Sequence, residues 1–484
     1  MTDDRAPPPV DGGDEPAVAP TPVRPRWWHR LAEAVRARDA SFVFYLAARL
    51  LSAAAGFFLV KVLIEVLTKA EYALWGTLAA VSSMIVPVAT LSVPAAMMRM
   101  YFDHPAHERE RQGRLINTTL ALTVASAALV LVYAGVATVL GLHDRHMLLY
   151  LAVVTTSTAM LGFWQYLIRM RDDYVLFFVN QMAERGNLIV LMLIAASLWG
   201  ADVATWPGGD RIQTTIGLYA LGQWALIAVN LAVYVRRQVI TTRHGWLARP
   251  EIVAMVRFSA PLTMTYFLGW TLNSSDIYLL YRLGTPSDTA DYVFSLGIAT
   301  LVGLVTSAAL TDWPRFYYAH MRDGGEGRDL LITRRAQLFL WLHAGSIVLT
   351  QLVGRLAYDL YGADEYVAGL EYLGYLLVGN FFFLAGNLFS AGIGYAKKTH
   401  LTVVAFALPG ALNFGLNLWL IPLWGARAAA ITTAIAFAVF ACTCWWLGVR
   451  YYRFIELPRL LLPAAVATVA GVAPAVLPVL DWLR

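Results

Sequence analysis

Long apolar runs separated by short polar segments occupy most of the chain. Each run has about 20 residues or more, which is the length a helix needs to cross about 30 Å of hydrocarbon. The pattern therefore predicts an all-α polytopic membrane protein with about 12 to 14 transmembrane helices, and thirteen is the literal count. The runs lie near residues 41–67, 74–98, 115–141, 147–168, 174–199, 213–235, 258–283, 292–312, 336–360, 367–394, 400–423, 428–449 and 460–480.

Lysine and arginine are distributed unevenly between the two sides of this pattern. Of the 37 cationic residues, 27 lie in the N-terminal tail and in alternate loops, seven lie on the opposite side, and three lie within spans. Cytoplasmic loops carry such an excess. We therefore predict a multi-pass protein of the cell inner (cytoplasmic) membrane with a cytoplasmic N-terminus. The net charge of +5 follows from this topology and predicts no nucleic-acid partner.

Composition excludes a soluble multidomain enzyme, because only 14% of the residues are charged and a soluble protein carries about 25%. Residues 1–26 contain seven prolines and no apolar run, which predicts a disordered cytoplasmic tail. Residues 27–40 pair tryptophans with arginines, which favours an interfacial helix over a plain linker. The extra hydrophobic segment 458–484 either crosses the membrane once or dips in and returns.

A weak internal repeat divides the chain. EYALW at 71–75 followed by RMYFDH at 99–104 resembles DYVFS at 291–295 followed by RFYYAH at 315–320. Tyr72 and Tyr292 occupy matching positions in the two segments. Parallel repeats of this kind occur in transporters. We therefore expect two six-helix lobes, 41–236 and 252–450, around a central cavity.

Four motifs follow one another along the chain: KAEYALW with RMYFD around the second span, LNSSDIYLLYRLGTPSDTADYVFS in the seventh, SAGIGYAKKTH after the tenth, and ALNFGLNLWLIPLWGARAAAITT joining the eleventh and twelfth. In this order they resemble the motifs of the polysaccharide and oligosaccharide-lipid flippases of the multidrug/oligosaccharidyl-lipid/polysaccharide exporter superfamily. Ala73 departs from the usual glycine. The resemblance covers about residues 41–455.

The resemblance implies flipping of a polyprenyl-pyrophosphate-linked oligosaccharide for lipopolysaccharide, capsule or exopolysaccharide synthesis, by alternating access and without a cofactor. It implies as partners the lipid-linked oligosaccharide, membrane lipids, and the glycosyltransferases, polymerase and chain-length regulator of the same pathway. Such a protein is a transporter and not an enzyme.

Cations inside the membrane are the first candidate site residues, since each costs about 2.5 to 3.5 kcal/mol to insert. Arg49 shares a helix face with Ser52, where small neighbours leave room for a ligand. Arg49 and Arg185 suit an anionic head group because a guanidinium binds phosphate bidentately. The competing interpretation is helix pairing or snorkelling. Lys61 is a further candidate, although an ion pair with Glu65 one turn later is the simpler explanation.

Two carboxylates are candidates for coupling to an ion or a proton. Glu184 precedes Arg185 in a polar arc of the fifth span, which also suits a structural pair. Asp276 lies in a run that is polar all around the helix, which is typical of a broken helix with an ion site or of an ordinary outer cap. Two pairs of asparagines indicate helix packing: Asn380 with Asn387, and Asn413 with Asn417.

Two other functions remain open. A cation-coupled multidrug antiporter is the main alternative, and it predicts drug sensitivity on deletion without loss of surface glycan. A membrane glycosyltransferase, polymerase or ligase ranks lower, because the predicted outside loops are short and their histidines form no constellation.

Overall fold

The computed structural model describes residues 40–102, 109–200, 206, 210–323, 327–361, 364–396, 398–450 and 458–482, with some helical side chains also outside the described part. The predicted tail 1–26 and all of the predicted interfacial helix 27–40 except Ala40 lie outside it. A helix covers each of the thirteen apolar runs, and the described residues contain no strand. The all-α polytopic prediction is confirmed. Among the described residues, nine helices are long and apolar enough to cross a membrane.

Eight helices form the first half of the chain. A capping box starts the second one, since Thr68 Oγ1 accepts from the Glu71 amide while the Glu71 carboxylate accepts from the Thr68 amide. Directly after Tyr150 the chain makes one π-helical turn, Leu151–Thr155. The helices are α1 Ala40–Val66, α2 Lys69–Ala89, α3 Val93–Phe102, α4 Arg109–Val139, α5 Arg145–Tyr150, α6 Thr156–Met170, α7 Tyr174–Trp199 and α8 Arg211–Arg236.

Seven helices form the second half. The seventh span is broken at Ser274, where the backbone leaves the helical region with φ −145°. The helices are α9 Arg249–Asn273, α10 Ser275–Leu283, α11 Pro286–Asp323, α12 Arg328–Tyr361, α13 Leu370–Tyr395, α14 Thr399–Val449 and α15 Pro458–Trp482. The predicted division into lobes at 41–236 and 252–450 stays a prediction, and "first half" and "second half" refer here only to chain order.

The helix α14 is a hairpin of two spans. Gly425 bends it with φ 55° and ψ −136°, which is a left-handed conformation that suits glycine. Thr432 Oγ1 donates to Asn417 Oδ1 at 2.5 Å across the bend, so the two arms lie side by side. The turn is therefore short and tightly packed.

The last hydrophobic segment forms one continuous helix, α15, which packs on α12 and α13. At Gly374 of α13 the two backbones nearly touch, because a Cβ built there would lie 1.9 Å from the Gly471 carbonyl oxygen. Gln351 Nε2 of α12 donates to the same oxygen at 3.1 Å. The segment is therefore one helix packed on the second half, and whether it crosses the membrane stays a prediction.

Candidate functional site

The two arginines predicted inside the membrane lie on helices that pack together, α1 and α7. A Cβ built on Gly56 would lie 3.9 Å from Nη1 of Arg185, so this exposed guanidinium lies against the backbone of α1. Ser52, which is half-buried, is one turn before Gly56, and Arg49 is two turns before it. The side chain of Arg49 lies outside the described part. The backbone therefore places both predicted cations along one face of α1.

The polar side chains on one side of α7 contact three different neighbouring helices. Asn180 and Asn230 of α8 exchange hydrogen bonds of 3.0 and 2.7 Å in a buried amide pair. Glu184 accepts from Gln165 Nε2 of α6 at 2.8 Å, and Arg185 faces α1. Glu184 and Arg185 therefore contact different neighbouring helices.

Lys61 lies at the end of the bundle that the cationic pattern places outside, which we call the outer end. Its Nζ is 2.7 Å from Glu65 of the same helix. It also donates to the carbonyl oxygen of Tyr361 in α12. Lys61 thus joins α1 to the second half at the outer end.

Asp276 is buried just after the break in the seventh span, with 1% of its surface exposed. The Tyr292 hydroxyl of α11 donates to Oδ2, and Thr433 Oγ1 of α14 donates to the same oxygen at 2.9 Å. The Ile277 amide donates to Oδ1 at 2.9 Å. An ionisable group inside a bundle is expensive unless it is bonded in this way. Three elements of the second half therefore meet at this carboxylate.

Asparagines on α14 support the break itself. Asn413 Nδ2 donates at 3.1 Å to the carbonyl of Leu272, which precedes the break. Asn417 Nδ2 donates to Asn413 Oδ1 at 3.0 Å. An interrupted helix leaves carbonyls without intrahelical partners, and side chains must satisfy them in the membrane. Helix packing, which the sequence predicted for this pair, is what these bonds accomplish.

Lys69 and Asp291 form an ion pair between the two halves of the chain at the outer end. Lys69 Nζ lies 2.9 Å from Oδ1 and 3.0 Å from Oδ2 of Asp291 on α11. It also donates at 2.6 Å to the Glu365 carbonyl, between α12 and α13. The Asp291 side chain is 4% exposed and that of Lys69 is 23% exposed. This pair therefore fastens α2 to the second half.

Aromatic side chains continue the same junction. Tyr72 of α2 meets the ring of Tyr366 with centroids 5.7 Å apart, and Phe294 of α11 meets Tyr366 at 5.0 Å. Phe57 of α1 meets the ring of Tyr361 at 4.4 Å. We call Lys69, Asp291 and these five aromatic residues the outer junction.

The outer junction was only partly predictable from the sequence. Tyr72 and Tyr292 were paired by the internal repeat, and Asp291 immediately precedes Tyr292. From the sequence, Lys69 was only one of the seven cationic residues on the outer side. Nothing in the sequence pairs Lys69 with a residue 222 positions away.

Comparison with known proteins identifies the fold. No family model matches the sequence, and no curated protein matches it. Among solved structures, a lipid II flippase MurJ in an inward closed conformation aligns with TM-score 0.63 and 12% identity, covering 92% of this chain and all of that one. An inward-facing multidrug resistance MATE family transporter of the MOP superfamily aligns with TM-score 0.60 and 14% identity, covering 85% of this chain and 94% of that one. The chain has the fold of MOP-superfamily transporters.

Proposed function

We propose that the protein flips a polyprenyl-pyrophosphate-linked oligosaccharide from the cytoplasmic to the outer leaflet, as a step in surface polysaccharide synthesis. The observation that carries the proposal is that Arg185 of α7 lies against α1, and α1 is the helix that bears Arg49. Two guanidinium groups there would attract a pyrophosphate and bind it bidentately. The fold that the chain shares with a lipid II flippase supports the same assignment.

The contacts between the two halves of the chain support a mechanism of alternating access. Lys61 and the outer junction hold α1 and α2 against α11 and α12 at the outer end. In this proposal the structure is a state closed at the outer end, and breaking these contacts opens the cavity outward. Asp276 is then the site where a coupling cation or proton acts, with Glu184 as a second proton carrier.

The alternative is a cation-coupled multidrug antiporter. The likeness to a multidrug resistance transporter supports it on fold alone. An antiporter for organic cations would need acids in its cavity. The exposed Arg185 repels cations from the same space, so we rank the flippase first.

The test is complementation of a deletion strain with Arg49→Ala and Arg185→Ala, measuring surface polysaccharide, drug sensitivity and the amount of protein in the membrane. Each variant should abolish surface polysaccharide while still reaching the membrane. Arg145→Ala, which removes a 74% exposed cation at the outer end, is the matched control. Normal polysaccharide in both test variants would refute the cavity assignment. Drug sensitivity without glycan loss on deletion would select the antiporter.

A further inference from the structure

A cavity of about 360 Å³ lies between α2, α9 and α14, beside the break in the seventh span. Its walls come from both halves of the chain. Ser83 is 14 residues after Lys69, about 21 Å along α2 from the outer end, so the cavity lies past the middle of a layer of about 30 Å, toward the opposite end. Its volume is at the lower end of the range of about 300 to 1,000 Å³ for small-molecule sites.

Three aromatic side chains form much of the wall: Tyr266 and Trp270 of α9 and Phe406 of α14. Trp270 is held in place because its Nε1 donates to the Ala80 carbonyl of α2 at 2.7 Å. Tyr266 is within 3.3 Å of the Tyr166 hydroxyl of α6. Fixed aromatic rings offer flat apolar contact at little entropic cost.

The remaining wall carries hydroxyl and amide groups. Asn273 Nδ2 donates to the Gly269 carbonyl at 2.7 Å, which leaves its Oδ1 available as an acceptor. Ser83 donates to the Ala80 carbonyl at 2.7 Å and keeps its acceptor lone pairs. Among the described lining residues none is charged.

This combination matches a neutral sugar ring. The C–H face of a pyranose is apolar and packs on an aromatic ring, while its hydroxyls donate to amide and hydroxyl oxygens. An organic cation would also accept the aromatic rings. However, Asp276, the carboxylate next to the cavity in sequence, is buried and already bonded to Tyr292 and Thr433, so it provides no counter-charge there.

We propose that this cavity is the subsite for one neutral sugar residue of the transported glycan, with Trp270 as the stacking ring and Asn273 as the hydrogen-bond acceptor. The proposal rests on the flippase function proposed above. In this proposal a sugar of the glycan binds beside the helix break, and the pyrophosphate binds to Arg49 and Arg185.

Saturation-transfer NMR on the purified full-length protein in lipid nanodiscs tests this assignment, because it detects weak contacts between aromatic protons and sugar protons. The probes are methyl glucoside, methyl galactoside, methyl rhamnoside and N-acetylglucosamine, with tetraphenylphosphonium as the cationic probe. At least one sugar should receive saturation on its ring C–H protons. Trp270→Ala should weaken that sugar's binding about tenfold, and Trp270→Phe should restore part of it.

Two further variants keep the result interpretable. Asn273→Leu should also weaken sugar binding, and it does so without removing a ring. Trp419→Ala removes a 69% exposed tryptophan on the surface of α14 and should leave sugar binding unchanged.

The outcomes separate the subsite from the function. Equal sugar signals in the wild type, Trp270→Ala and Asn273→Leu would overturn the subsite. The absence of any sugar signal, from a wild-type protein that still restores surface polysaccharide, would overturn the subsite and leave the flippase function standing. Binding of tetraphenylphosphonium that is lost in Trp270→Ala, without sugar binding, would overturn both.

Discussion

Removing the charge of Lys69 should open the outer end of the bundle. Lys69→Met keeps most of the side-chain volume and leaves the Asp291 carboxylate, only 4% exposed, without its cation. When the halves separate, the carboxylate returns to water. The free-energy cost of the unpaired buried carboxylate therefore destabilises only the state that is closed at the outer end. The equilibrium between the closed and the outward-open state shifts toward the outward-open state.

The size of this shift can be estimated from the geometry. At the observed 2.9 Å the gross attraction is about 6 kcal/mol for an effective dielectric constant of about 20. Desolvation offsets part of it, and breaking one buried ion pair costs about 3 to 5 kcal/mol. We take about 3 kcal/mol because Lys69 is 23% exposed, and this corresponds to more than a hundredfold change in population.

Asp291→Asn should have a smaller effect, about fivefold or 1 kcal/mol, because Lys69 keeps the Glu365 carbonyl at 2.6 Å and can reach water. The double variant Lys69→Met/Asp291→Asn should be closed more often than Lys69→Met alone, by about tenfold, since no buried charge is left without a partner. This order distinguishes an ion pair from two independent contacts.

The accessibility of an introduced thiol measures the equilibrium between the closed and the outward-open state. Val293→Cys places a thiol where the side chain now presses against Gly76 of α2, between the halves. The background carries Cys442→Ser and Cys444→Ala, which remove the two native thiols. In proteoliposomes, the labelling rate with a membrane-impermeant maleimide should rise in proportion to the open population.

An exposed ion pair within one helix is the control. Arg114→Met breaks the pair with Glu110 on α4, where the two side chains are 44% and 67% exposed, and it should not change the labelling rate. Labelling within twofold of the control for Lys69→Met would refute the reasoning. So would a double variant that labels faster than Lys69→Met.

Three further changes test other parts of the structure. Asp276→Asn should slow transport at least tenfold and remove its response to imposed pH and sodium gradients, and an unchanged response in proteoliposomes would remove this carboxylate from coupling. Gly374→Ala should destabilise the fold by about 1 to 3 kcal/mol because it forces α13 from α15, whereas Gly415→Ala, with open space around it, should be neutral or slightly stabilising in thermal unfolding. Asn180→Leu should cost about 1 kcal/mol by leaving Asn230 without its partner, and Asn180→Leu/Asn230→Leu should recover most of that loss.

The helices were predictable because length and hydropathy alone determine what can cross a membrane. The broken seventh span was one of the two interpretations of the polar run around Asp276, and the break lies at Ser274. The π-helical turn Leu151–Thr155 could not be predicted, since its sequence, LAVVT, suits an ordinary helix.

The site was predictable only as separate residues. Arg185 and Asp276 stood out because each is ionisable inside an apolar run. The sequence did not show their distant contacts: Arg185 lies against α1, and Asp276 accepts a hydrogen bond from Thr433, 157 positions away. Trp270 gave no signal, since a single aromatic residue in the middle of an apolar run is explained by packing alone.

The break at Ser274 gives the two sides of the seventh span different attachments. On one side, Thr263 and Trp270 of α9 are bonded to Ser92 and the Ala80 carbonyl in the first half. On the other side, Asp276 of α10 is bonded within the second half. A ligand that shifts α10 would therefore strain the hydrogen bonds that hold α9 to the first half. If an ion binds at this carboxylate as proposed and changes the affinity for substrate by some factor, thermodynamic reciprocity requires that substrate change the affinity for that ion by the same factor.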